Sequence, residues 1–116
     1  MIRQGEVWWV VFGEPRGSEP AGRRPAVIIQ NDRFNRTALN TVAVLGITSN
    51  LRLATMPGNV QLHLGEANLT KPSVVNVTQI HAVDRAYLVE RLGSLSHARM
   101  REVWSGLQRL LEVEEA

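Results

Sequence analysis

The hydrophobic pattern of this chain changes period once, near residue 96, and the change divides it into a β-rich body and one helix. Before that point, apolar residues come in short runs broken by turn chemistry. Glu6–Phe12 (EVWWVVF) is rich in β-branched and aromatic residues and stops at Gly13, which predicts a strand. Glu14–Arg23 holds two glycines and two prolines, so it predicts a long loop joining two strands. Pro25–Gln30 is nearly all apolar and is expected as a central strand. Asn31–Leu39 suits a helical turn capped by Asn31 or Asp32. Thr41–Ile47 predicts a third strand, and Thr48–Pro57 a polar connection ending in a Pro-Gly turn signal. Asn59–Leu64 alternates, with Val60, Leu62 and Leu64 on one face. Val74–Val83 alternates less cleanly and predicts one bent strand or two short ones; Val89–Leu95 predicts a last short strand.

From there the spacing is helical. Met100, Val103, Trp104, Leu107, Leu110 and Leu111 recur at i, i+3, i+4, i+7, one apolar face. Ser96 is a natural N-cap, so the helix is expected from about Ser96 to about Glu112. Its apolar stripe must be covered by the sheet or by a partner chain. Several short strands closed by one helix predict a mainly β fold, a small and strongly bent barrel whose rim loops form a working surface. At 116 residues this is a single domain, 1–116, with one core.

Composition narrows the chemistry. Hydrophobic residues at 44% and charged residues at 21% fit a soluble globular chain rather than a disordered one. The longest apolar run near the start, Val7–Phe12, is too short for a signal-peptide core or a membrane span, so a cytoplasmic protein without membrane contact is expected. Cysteine is absent, which excludes disulfides, thiolate zinc sites and cysteine nucleophiles. His63, His81 and His97 sit far apart without metal-ligand spacing, so each is expected as a surface or packed histidine, and no metal or cofactor is expected. Thirteen basic against eleven acidic side chains give +2; setting aside the tail residues Glu112, Glu114 and Glu115 leaves eight acidic and +5. That permits nucleic-acid binding without requiring it.

Three segments carry more than loop chemistry. Arg16-Gly17-Ser18-Glu19 is followed by Gly22-Arg23-Arg24-Pro25, where Arg24 enters a strand beside a proline that fixes the backbone. A planar guanidinium there suits a bidentate grip on phosphate, or is a solvated arginine flanking a strand. Ile47-Thr48-Ser49-Asn50 puts two hydroxyls and an amide at a strand end, to hold a phosphate oxygen or to form an Asx/ST turn. In Val77-Thr78-Gln79-Ile80, the glutamine reads a base edge or faces solvent.

Taken together and in this order, the segments resemble the MazF/PemK/Kid toxin ribonuclease family across almost the whole chain. The resemblance is carried by Gly5-Glu6-Val7-Trp8, Gly17-Ser18-Glu19, Gly22–Asp32 (GRRPAVIIQND), Ile47-Thr48-Ser49-Asn50, Asn76–Ile80 (NVTQI) and Leu95-Ser96. It implies an SH3-like barrel with a C-terminal helix, shared with the gyrase poison CcdB. It implies a homodimer that cuts single-stranded RNA at a short sequence, leaving a 2′,3′-cyclic phosphate and a 5′-hydroxyl, and that a cognate MazE-like antitoxin neutralises. It gives catalytic positions to Arg24, Thr48 and Glu19. RNA contacts are expected at Arg16, Gly17, Ser18, Asn31, Ser49, Asn50, Met56 and Gln79. Val11 departs from the pattern, since many members carry Asp before the Phe.

The chemistry stands apart from the resemblance. In this reaction the 2′-hydroxyl of the RNA is the nucleophile, so the protein must align the attack and stabilise charge on phosphorus. Arg24, Thr48 and Ser49 suit those tasks. Arginine is effectively never deprotonated, which leaves Glu19 as the preferred base. Two rivals are a non-catalytic CcdB-like gyrase poison and an SH3-like adaptor. The first uses a C-terminal Trp-Gly-Ile, whereas this chain ends Glu114-Glu115-Ala116; the second leaves Arg24, Thr48 and Glu19 without a task.

Overall fold

The computed structural model describes residues 1–14, 17 and 21–112. Six strands form one antiparallel sheet: β1 (Glu6–Val11), β2 (Arg23–Ile28), β3 (Thr41–Thr48), β4 (Val60–Leu62), β5 (Ser73–Asp84) and β6 (Leu88–Ser94), in the order β4-β5-β3-β2-β1-β6. Two helices accompany them, a single turn α1 (Asp32–Asn35) and the C-terminal α2 (His97–Leu111). No helix among the described residues is long and apolar enough to cross a membrane.

The curled sheet is covered on both sides. Val7, Val27, Leu45, Ile47, Val75 and Val77 face inward onto Met100, Val103 and Leu107 of α2. On the other face Val10, Ala26, Ile28, Val42 and Val44 gather with Ile2, Trp8 and Phe12. β2 and β3 are therefore buried on both faces, which is why both read as unbroken apolar runs instead of alternating. β5 settles the choice left open between one bent strand and two. It is one strand of 12 residues whose register with β3 shifts between Leu45 and Ile47, where an irregularity lets the sheet turn.

Both predicted caps are present. The Asn31 side chain accepts from the Phe34 amide at 3.2 Å, and the Ser96 hydroxyl from the Arg99 amide at 3.1 Å. Two expectations need correction. Leu64 does not join Val60 and Leu62, because the strand ends at Leu62 and the chain enters a 3-10 turn at Glu66–Asn68 that leaves Leu64 exposed. Leu110 and Leu111 do not pack with the rest of the helix stripe; α2 runs past the sheet edge and both are exposed. Within the connection after β3, Leu51–Thr55 winds into a 3-10 helix capped by Asn50.

β4 and β6 are the two edges and do not pair. The segment at 65–69 bridges the gap between them. Asn68 Nδ2 donates to the Leu92 carbonyl at 2.7 Å, and a Cβ on Gly93 would lie 2.9 Å from the Ala67 carbonyl, so only glycine admits the approach. Arg99 of α2 holds the segment from below with two bonds of 2.9 Å to Glu66, and this guanidinium keeps the Glu66 carboxyl below the usual carboxylate range.

α2 meets the body most closely at Gly106, where the backbone of the Gly58 turn lies against it. Alanine normally stabilises a helix interior by about 1 kcal/mol over glycine. Here a Cβ would collide with the Gly58 carbonyl oxygen and come within 3.1 Å of Val77 Cγ1. Overpacking of roughly 1–3 kcal/mol or more should outweigh the propensity gain. Gly106→Ala is expected to lower the thermal midpoint followed by circular dichroism; a midpoint at or above wild type would contradict this docking.

Candidate functional site

The site grows from a missing hydrogen-bond donor. Pro25 has no N–H, and it sits opposite Trp9 in the β1–β2 ladder while the β2–β3 ladder stops one residue later, at the Ala26–Gly46 pair. Beyond that pair β2 and β3 part. Arg24 and Thr48 lie two residues past it on either strand, so the pleat keeps both on the Ala26–Gly46 face. Each stays in strand conformation because its outer neighbour holds it, Val10 opposite Arg24 and Val74 opposite Thr48. The two residues singled out in separate motifs thus flank one fork.

Their hydrogen bonding divides the two neighbouring arginines. Arg23 is committed to the fold: its Nη2 meets Glu90 at 2.6 Å and its guanidinium lies 5.0 Å over the Trp9 ring. Arg24 is exposed, donates from Nε to the Ala21 carbonyl at 3.0 Å, and makes no other side-chain hydrogen bond among the described residues. That bond steadies the stem and leaves the two Nη groups to face outward. Thr48 Oγ1 accepts from the Asn50 amide at 3.1 Å, and Asn50 Oδ1 accepts from the Arg52 amide at 3.2 Å. The Asx/ST turn weighed from sequence is therefore present. It occupies acceptors only, so the Thr48 hydroxyl still donates its proton outward. Ser49 is exposed beside it.

Gln79 lies on β5, two strands and about 10 Å across the sheet from Arg24. Its Oε1 is 3.1 Å from His81 Nε2, and the His81 ring packs edge-on against Phe12, with centroids 5.3 Å apart. His81 is thus a packed histidine. Gly46 lies between the fork and Gln79, and a Cβ there would sit 3.3 Å from Gln79 Cβ, so its absence leaves a shallow shelf. Met56 is exposed at the end of the Leu51–Thr55 turn. Asn59 ties that turn to β5, donating to the Leu53 carbonyl and accepting from the Val77 amide.

Asn31 is not brought to this site. It caps α1 at the far end of β2, seven residues and about 20 Å from Arg24. Arg16, Ser18 and Glu19 lie outside the described residues; Gly17 is exposed in the left-handed region with φ +61°. The neck of their loop is described. Phe12 N donates to the Gly22 carbonyl at 2.8 Å and Gly22 N to the Gly13 carbonyl at 2.9 Å, so the loop springs from beside Arg23 and Arg24.

Sequence reasoning missed a cavity of about 270 Å³ at the open end of the barrel, lined among others by Trp9, Arg24, Pro25, Ser49, Leu69 and Lys71. These come from β1, β2, the end of β3 and the 68–73 segment, so no local motif announces them. A shallower hollow of about 790 Å³ runs between α2 and β4 and touches neither Arg24 nor Thr48. Among the described residues no group of three His, Cys, Asp or Glu side chains stands close enough to hold a metal ion.

Residues 3–111 match the model of the PemK-like, MazF-like toxin of type II toxin–antitoxin systems. The chain is 43% identical over 113 residues to endoribonuclease MazF2 of Mycobacterium bovis and to endoribonuclease MazF6 of Mycobacterium tuberculosis, covering 97% of this chain and 99% of each relative. Its fold is similar to a mycobacterial endoribonuclease solved in complex with its cognate antitoxin, with a TM-score of 0.81 at 22% identity and full coverage of both chains. It is also similar to MazF of Deinococcus radiodurans, with a TM-score of 0.79 at 25% identity over 97% of each chain.

Proposed function

This chain belongs to the PemK-like, MazF-like toxin family, and from that premise we propose that it is an endoribonuclease toxin acting on single-stranded RNA, with the fork of β2 and β3 as its catalytic centre. The observation that supports this most is the pairing of Arg24 and Thr48 on one sheet face, held by strands rather than by loops. The gyrase-poison alternative draws no support from these relatives.

The reaction needs little beyond placement and charge. The 2′-oxygen attacks the adjacent phosphorus, the bond from phosphorus to the 5′-oxygen breaks, and a 2′,3′-cyclic phosphate and a 5′-hydroxyl result. One proton leaves the 2′-hydroxyl and one arrives on the 5′-oxygen, so the net count is unchanged. Arg24 presents a planar donor pair to the phosphate oxygens, and Thr48 and Ser49 add hydroxyl donors. Glu19 is proposed as the proton acceptor and Gln79, across the Gly46 shelf, as a reader of a base edge. Arg16, Gly17, Ser18, Asn50 and Met56 are proposed to line the strand's path. Asn31, at the other end of β2, would reach only RNA extending several nucleotides further.

Arg24→Ala is expected to lower cleavage of a defined RNA by roughly 10²–10³-fold with an unchanged melting curve, as loss of one transition-state donor does. Thr48→Ala should cost less, because Ser49 substitutes in part. The same assay in excess EDTA should run at full rate, since the scheme uses no metal. Near-wild-type cutting by Arg24→Ala, or inhibition by EDTA reversed by added Mg²⁺, would overturn the mechanism.

We further propose a homodimer neutralised by a MazE-like antitoxin whose acidic tail competes with RNA phosphates for these arginines. Part of the apolar surface is covered within the chain, and part of the helix stripe is not. Trp8 is absorbed in the outer cluster, with Nε1 bonded to Glu6 at 3.2 Å, and Trp9 lies under Arg23. Leu110 and Leu111, left exposed at the end of α2, remain to be covered. Sedimentation at micromolar concentration should give twice 12.9 kDa; a mass near 12.9 kDa would remove the dimer.

A further inference from the structure

We propose that the cavity at the open end of the barrel is a nucleobase pocket, which seats the base of a nucleotide next to the phosphate held at Arg24 and Thr48. The inference rests on the RNA-cleaving reading above and adds to it the place where sequence is read. Arg24 borders both the fork and the cavity, and Ser49 borders the cavity directly after Thr48. A phosphate at the fork therefore carries its own nucleotide to the cavity mouth.

Size and chemistry favour a base over the other parts of the strand. At about 270 Å³ the cavity is just below the roughly 300 Å³ at which pockets for small molecules begin, enough for a flat ring system and not for a full nucleotide. Its lining is mixed: Trp9, Pro25, Ile47, Leu69 and Leu92 supply apolar surface, and Ser49, Asn68, Thr70 and Ser73 supply hydroxyls and an amide beside the basic Arg23, Arg24 and Lys71. Unstacked bases of single-stranded RNA are held in this manner, with the ring face on aromatic or apolar surface and the edge on polar groups. Lys71 and Arg24 at the mouth would meet the phosphates on either side of the seated base.

The pocket is built before anything enters it. Arg23 holds the Trp9 indole at one face and is tied to Glu90. The opposite wall at 68–71 hangs from Asn68 on β6 and from the Glu66–Arg99 bridge. Walls fixed in this way lose little freedom on binding, which suits a specificity site.

The test uses the full chain and RNA of one cleavage site, chosen by mapping cuts on a long defined RNA. Copies carry an abasic residue at each position flanking the scissile phosphate in turn. Wild type should lose about tenfold or more in kcat/KM at one flanking position, as removal of a stacked base does. Thr70→Trp, which fills the cavity from an exposed lining position, and Leu92→Ala, which enlarges it, should show the same loss on intact RNA and no further loss on that abasic RNA. Equal cutting by wild type of intact and abasic RNA at every flanking position would overturn the pocket. So would additive losses in both variants, or a Thr70→Trp protein that cuts normally and escapes only the antitoxin, which would make the cavity a peptide site. A wild-type protein that cuts no RNA would instead sink the underlying reading, and the pocket with it.

Discussion

A proline one residue beyond the end of the buried β2–β3 ladder sets the shape of the functional end of this molecule. Pro25 cannot donate to β3, so the β2–β3 ladder ends at Ala26–Gly46 while each strand continues against its other neighbour. The sheet therefore splits at one end and stays closed at the other. The split gives a fork that carries Arg24 and Thr48 and, beside it, a cavity that Arg24 and Ser49 also line. Below it, burial of β2 and β3 on both faces gives the fork a rigid base. Arg24 is held beside that base by the β1 ladder, where a loop arginine would have no ladder to hold it.

The same economy governs the closure of the barrel. The two edge strands never pair, and a short bridge at 65–69 spans them with one amide side chain, one glycine contact and one arginine fork. α2 acts as a clasp for this bridge as well as a cover for the inner core, since Arg99 holds Glu66 while Met100, Val103 and Leu107 pack inside. Helix docking and the shape of the open end are in that way mechanically linked.

How much of this was legible in the sequence follows from the range of each interaction. Periodicity and caps are local, so the strands, α2 and the Ser96 and Asn31 caps were readable to within a residue or two. Leu64 and Leu110 fit their local patterns equally well, but their exposure is decided by where the neighbouring element ends. Arg24 and Thr48 were singled out as separate motifs; that they share a fork depends on the register of four strands. The cavity was invisible for the same reason in stronger form, because Trp9, Pro25, Leu69 and Leu92 meet only when the sheet curls. Asn31 shows the converse, a residue near Arg24 in sequence that lies past the opposite end of β2, where it caps α1.

The central claim is that the protein aligns and stabilises an attack by the RNA's own 2′-hydroxyl, and the chemistry of the cut ends reports on that directly. Mass spectrometry of fragments from a single-site RNA, taken at early times, reads both termini without labels. The account predicts a 2′,3′-cyclic phosphate on the upstream fragment and a 5′-hydroxyl on the downstream one. A 3′-hydroxyl paired with a 5′-phosphate would mean that water or another external nucleophile attacks, and would contradict it.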